Sequence, residues 1–122
     1  VPAPPPPKPL EPFSQVVTHN GNVYLSCVQG FVPGTLQLAS DDVYEQARQV
    51  FANTSTLLAS AGASMSNVVK ATLMLLDMDD FDAANRAFNE AFPEAPPART
   101  TFQATLPKGC RVTLDVTAFL PS

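Results

Sequence analysis

Pro96-Pro97-Ala98-Arg99-Thr100-Thr101-Phe102-Gln103-Ala104-Thr105-Leu106-Pro107-Lys108-Gly109 is the stretch whose reading decides the fold. Pro96 and Pro97 cannot continue a helix, and they hold Ala98 extended, so Arg99 is delivered at the start of a strand. Thr100 to Leu106 is β-branched and aromatic and reads as that strand. Pro107-Lys108-Gly109 reads as a turn that sends the chain back along Arg111 to Phe119. The expectation is a C-terminal hairpin with a cation at its mouth. A guanidinium offers a planar fork of donors that matches two carboxylate oxygens, which makes Arg99 a candidate anchor for an acid group. From position alone, a solvated surface charge is the commoner reading.

Upstream, Asp77-Met78-Asp79-Asp80 starts a helix carrying Phe81, Ala84, Phe88, Ala91 and Phe92 on one side and stopping at Pro93. Val68 to Leu76 is strongly apolar with a β-branched start and reads as a central strand. Before it, Ser40-Asp41-Asp42 supplies N-cap chemistry for a helix. Val43, Ala47, Val50, Phe51, Thr54, Leu57 and Leu58 recur along one face of that helix, and Ala61-Gly62 ends it. Gln29 to Ser40, with Gly30, Pro33 and Gly34, reads as an irregular loop. Phe13 to Thr18 and Val23 to Val28 flank His19-Asn20-Gly21-Asn22, an Asn-Gly hairpin signal. The first nine residues, six of them proline, read as a polyproline-like arm. This divides the chain into an arm over residues 1–11 and one domain over 12–122.

The resulting order is strand, strand, helix, strand, helix, strand, strand: an α+β domain with a mixed sheet and both helices on one face. In the last strand Val112, Leu114, Val116 and Ala118 alternate with Arg111, Thr113, Asp115, Thr117 and Phe119. In its expected partner Phe102 and Ala104 alternate with Thr101, Gln103 and Thr105. A hydroxylated sheet face on so small a domain suggests a closed oligomer with clefts between neighbouring sheets.

A chain of 122 residues with 45% hydrophobic residues suits one domain. A net charge of −4, with only seven scattered Lys and Arg, argues against nucleic acid as a partner. No apolar run reaches the roughly 18–20 residues that a bilayer requires, and no leader opens the chain, so a soluble cytoplasmic protein is expected. Cys27 and Cys110 read as reduced thiols. His19 is the only histidine and lies in a turn, without the ligand spacing of a metal site.

Several segments, in order, resemble the YjgF/Rid (reactive intermediate deaminase) family. These are Pro12-Phe13-Ser14-Gln15, Glu45-Gln46-Ala47-Arg48-Gln49-Val50-Phe51-Ala52-Asn53, Ala61-Gly62-Ala63-Ser64, Val68-Val69-Lys70-Ala71-Thr72, Asp77-Met78-Asp79-Asp80-Phe81, Asn85, Pro97-Ala98-Arg99 and Leu106-Pro107-Lys108-Gly109. The resemblance implies a chorismate-mutase-like subunit and a homotrimer with clefts between subunits. It also implies hydrolysis of enamines or imines such as 2-aminoacrylate to a keto acid and ammonia, with no metal and no organic cofactor. It makes Arg99 the carboxylate anchor, with Thr101, Phe13, Cys27 and Asn85 lining or supporting the cleft. The chain departs from the family's pattern at several places: Phe13 stands where a tyrosine is usual, Ser26-Cys27-Val28 replaces a Ser-Gly-Gln run, the stretch between Arg99 and Leu106 is one residue short, and the water-positioning glutamate falls on Thr113. Asp115, two residues on and on the same side of the strand, is a candidate substitute. These departures leave two further readings open, another imine-like or cyclic substrate of a specialised biosynthetic pathway, or a non-catalytic binder of small carboxylates.

Overall fold

Asn20 and Gly21 both take left-handed backbone angles, with φ of 51° and 78°. That is the conformation that lets a two-residue turn follow the twist of the strands on either side. It joins β1 (Val16–His19) to β2 (Asn22–Gln29) in register, with Val17 opposite Tyr24. In the computed structural model residues 14–121 are described. The proline-rich arm and Phe13, both singled out above, lie outside them.

The helix α1 (Val43–Ser60) begins where the Asp42 carboxylate accepts the Glu45 amide at 3.0 Å. Its expected apolar face is buried in full, from Val43 to Leu58. Gln46 joins that face at 1% exposure, and its Oε1 accepts the backbone N–H of Arg111 at 2.9 Å. Gly30 allows this approach, since a Cβ there would lie 2.8 Å from the Gln46 carbonyl oxygen. The interior strand β3 (Val68–Leu75) leads through a short 3-10 turn to α2 (Phe81–Ala91), followed by β4 (Ala98–Gln103) and β5 (Val112–Phe119).

The five strands form one mixed sheet in the order β1-β2-β5-β3-β4. Here the structure corrects the expected hairpin: β4 runs parallel to β3, and β5 inserts antiparallel between β2 and β3. The turn at Pro107 exists, with Cys110 donating to the Pro107 carbonyl at 3.1 Å, but it lies in a loop that carries the chain past β3. Burial explains the exchange. Val112, Leu114, Val116 and Ala118 are at most 3% exposed and gain most from a central position, whereas β4 is polar on its helix-facing side, has no buried residue and suits an edge. The connection β3-α2-β4 is long enough for the crossover that a parallel pair requires.

Both helices cover one face of the sheet, joined by edge-on contacts of Phe51 with Phe88 and Phe92 at 5.8 and 6.0 Å between ring centroids. Arg111 ties the layers together. Its Nη2 donates to both Asp80 carboxylate oxygens at 2.8 and 3.1 Å, and Nη1 donates to the Asp41 carbonyl. No helix among the described residues is long and apolar enough to cross a membrane.

Candidate functional site

The pairing of β4 with β3 decides which way its side chains face. Arg99 lies opposite Ala71 and Thr101 opposite Leu73, both fully or nearly fully buried on the helix side of the sheet. Arg99, Thr101 and Gln103 therefore form a polar stripe facing α2. Thr100 and Phe102 face the open side, where Phe102 is 45% exposed. The expected split between oily and hydroxylated sides is present but inverted, because the parallel register with β3 overrides the pattern within β4.

Each member of the stripe meets a different environment. Gln103 Oε1 accepts the Met78 amide at 2.9 Å, closing the 3-10 turn before α2. The Arg99 guanidinium carbon lies 4.5 Å from the Phe88 ring centroid and 5.6 Å from that of Phe81. Burial lowers the Arg99 pKa from its ordinary value. Its Nη1 and the Thr101 hydroxyl are both buried, and neither has a hydrogen-bond partner among the described residues. Unpartnered buried donors cost free energy, so these two, side by side at the sheet edge, single out this end of β4 as the candidate site. Asn85 occupies the same stripe of α2, four residues after Phe81 and three before Phe88, and is half-buried.

The remaining candidates lie on the other side of the sheet. Thr113 pairs with Met74 and Asp115 with Thr72, in the rows that also carry Phe102 and Thr100 on the open face. Thr113 is 3% exposed and its hydroxyl is also buried without a partner among the described residues. Asp115 Oδ1 accepts the Cys27 amide at 2.7 Å. Cys27 sits in the bulge of β2, where the register with β5 shifts between Leu25 and Val28, at a φ of 54°. Within one subunit Arg99 and Thr101 thus share the helix-facing side of β4, with Asn85 on the stripe of α2 that carries Phe81 and Phe88. The structure separately brings together Thr113, Asp115 and Cys27, with the sheet between the two groups. Among the described residues no cluster of His, Cys, Asp and Glu has the arrangement to hold a metal ion.

Residues 5–120 match the family model described as Endoribonuclease L-PSP. The chain belongs to the YjgF/Rid family. It is 39% identical over 115 residues to the chloroplastic Reactive Intermediate Deaminase A of Arabidopsis thaliana, covering 93% of this chain and 62% of that relative's length. It is equally similar, 39% over 113 residues, to the 2-iminobutanoate/2-iminopropanoate deaminase of Capra hircus, covering 92% of this chain and 82% of that one. The fold superposes on the crystal structure of RidA from the Antarctic bacterium Psychrobacter sp. PAMC 21119 with a TM-score of 0.87, 35% identity and 93% of each chain covered.

For this Rid-family chain the resemblance named Arg99, Thr101 and Asn85 for the cleft. It did not point to Phe81 and Phe88 as neighbours of the cation. Both rings read as ordinary core positions of α2, and only the register of β4 on β3 shows that Arg99 lies over them. Gln46 was also missed as a core residue, although Val43, Gln46 and Val50 share one helical stripe.

Proposed function

We propose that the protein hydrolyses small enamines and imines bearing a carboxylate, of the 2-aminoacrylate type, to keto acids and ammonia, with Arg99 holding the carboxylate. The 2-imino acids for which the goat relative is named are of this class. The observation that carries the reading is the pair of vacant buried polar atoms, Arg99 Nη1 and Thr101 Oγ1, on successive same-side positions of β4. A carboxylate or the adjoining imine nitrogen supplies the missing partners.

Chemically the task is light. An enamine is protonated on carbon, water adds to the electrophilic iminium carbon, and the C–N bond breaks as ammonia leaves with a proton. Fixing the carboxylate orients that carbon, which supplies several kcal/mol of barrier reduction without a strong base. The groups proposed to hold the water, Asp115 or Thr113, face the open side of the sheet. They reach a substrate bound at Arg99 only from a neighbouring copy, which is the reason for proposing a homotrimer with shared clefts. Phe13 and Cys27 complete the proposed lining of the cleft.

One observation favours a second reading. Thr113, where the family carries its glutamate, is buried and cannot act as a base near neutral pH. Phe102 presents an exposed ring one strand beyond Met74 in the same row, so a bulkier imine, or binding without turnover, suits this face. Release of ammonia from enzymatically generated 2-aminoacrylate separates the readings. Wild type is expected to accelerate it and Arg99→Ala to lose at least about a hundredfold in kcat/KM while remaining folded. Equal turnover by the two proteins would remove the proposal, and saturable keto-acid binding with no turnover would select the binder.

A further inference from the structure

We infer that Phe81 and Phe88 form an aromatic shelf that sets the orientation of the Arg99 guanidinium, and that both are positioning residues for the carboxylate anchor. The inference rests on the reading of Arg99 given above. Three observations place the shelf. Ala71, opposite Arg99 on β3, leaves room for the side chain to lie toward α2. α2 carries Phe81 and Phe88 seven residues apart, two helical turns along one stripe. The guanidinium carbon lies within 5.6 Å of both ring centroids.

The chemistry gives the arrangement its use. An aromatic ring attracts a cation through its quadrupole and engages the flat side of a guanidinium, leaving the N–H donors at the edge free. A carboxylate neighbour would stabilise the cation too, but by occupying the fork that a ligand needs. No ion pair engages Arg99 among the described residues, and Nη1 is left unpartnered. The rings therefore offset part of the desolvation of Arg99 while keeping its donors available. The two rings differ in their other duties. Phe88 is buried and also contacts Phe51 and Phe92, with the Phe92 ring centroid 4.8 Å away, whereas Phe81 is only partly buried and makes no ring contact with that trio among the described residues.

This difference supplies the test. Binding of 2-oxobutanoate to the full chain is measured by calorimetry, and deamination of 2-iminobutanoate generated in situ is followed for the same proteins. Phe81→Leu and Phe88→Leu are expected to weaken 2-oxobutanoate binding about 3–10-fold each. KM should rise by a similar factor with kcat within about twofold, because Arg99 is retained and still orients the substrate once the site is filled. Phe88→Tyr keeps a ring and is expected to restore affinity. Phe92→Leu, from the same aromatic cluster but without a contact to Arg99, should lower Tm and leave affinity unchanged. Leucine variants that bind like wild type, or that lose no more than Phe92→Leu, overturn the inference while Arg99→Ala still abolishes binding. Wild type that fails to bind, or Arg99→Ala that binds equally well, overturns the anchor and the shelf together.

Discussion

β5 lies at the centre of the sheet with a strand on each side, and β4 lies at its edge with a single neighbour, though both alternate along their length. In β5 the alternation is a core pattern: Val112, Leu114, Val116 and Ala118 enter the apolar layer beneath the helices. In β4 the side facing the helices is Arg99, Thr101 and Gln103, and the large apolar residue Phe102 faces outward. A central strand must satisfy hydrophobic burial on its helix side. An edge strand at the rim of the core is released from that demand, so polar side chains can take the helix-facing positions.

The contrast can be broken most directly by exchanging subunits. Arg99→Ala and the double variant Thr113→Val/Asp115→Asn are each expected to be inactive, since each lacks one side of the proposed cleft. Dissociated and reassembled together as a 1:1 mixture, they should regain about a quarter of wild-type deaminase activity, the statistical share of clefts built from two intact faces in a closed ring. A mixture as inactive as its components would show that the two faces of the sheet do not cooperate across copies.

Stability sharpens the same comparison. Leu114→Ala in β5 opens a cavity in a fully buried layer and should cost about 2–5 kcal/mol. Phe102→Ala in β4, already half in solvent, should cost no more than about 1 kcal/mol. Chemical denaturation of the two variants checks this. Equal losses would mean that the open face of β4 is covered in solution.

A smaller effect concerns the loop between the two strands. Burial raises the pKa of the Cys110 thiol, opposed in part by Lys108 and by a backbone hydrogen bond. The folded state thus holds the proton more tightly than the unfolded chain, whose thiols titrate near about pH 8.5. Its contribution to stability is complete below that pH and is lost as pH rises through the folded pKa. Replacing Cys110 with Ala should flatten the fall in stability on the alkaline side, measured by denaturation midpoints at successive pH values. A slope identical to wild type would show that the thiol plays no part. Tyr44, raised chiefly by its hydrogen bond to Glu90, pushes in the same direction and remains in both proteins.

Local chemistry written in the chain was sufficient for most of the elements. The Asn20-Gly21 turn, the cap at Asp42, the apolar stripe of α1 and the stop at Pro93 each depend on neighbours within a few residues, and each stands where the sequence places it. Arg99 was likewise legible as a cation at the start of an extended segment, and family resemblance gave it a role. Which strand would lie beside Arg99 was not legible, because Pro107-Lys108-Gly109 makes the same turn whether the chain folds back on β4 or crosses over β3 to the centre of the sheet. That choice is made by competition for burial between β4 and β5, a sum over the whole core that no short window contains. Once β3 pairs in parallel with β4, that register turns Thr101 inward and sets Arg99 over Phe81 and Phe88, while the antiparallel register of β5 on β3 keeps Asp115 and Thr113 on the opposite face.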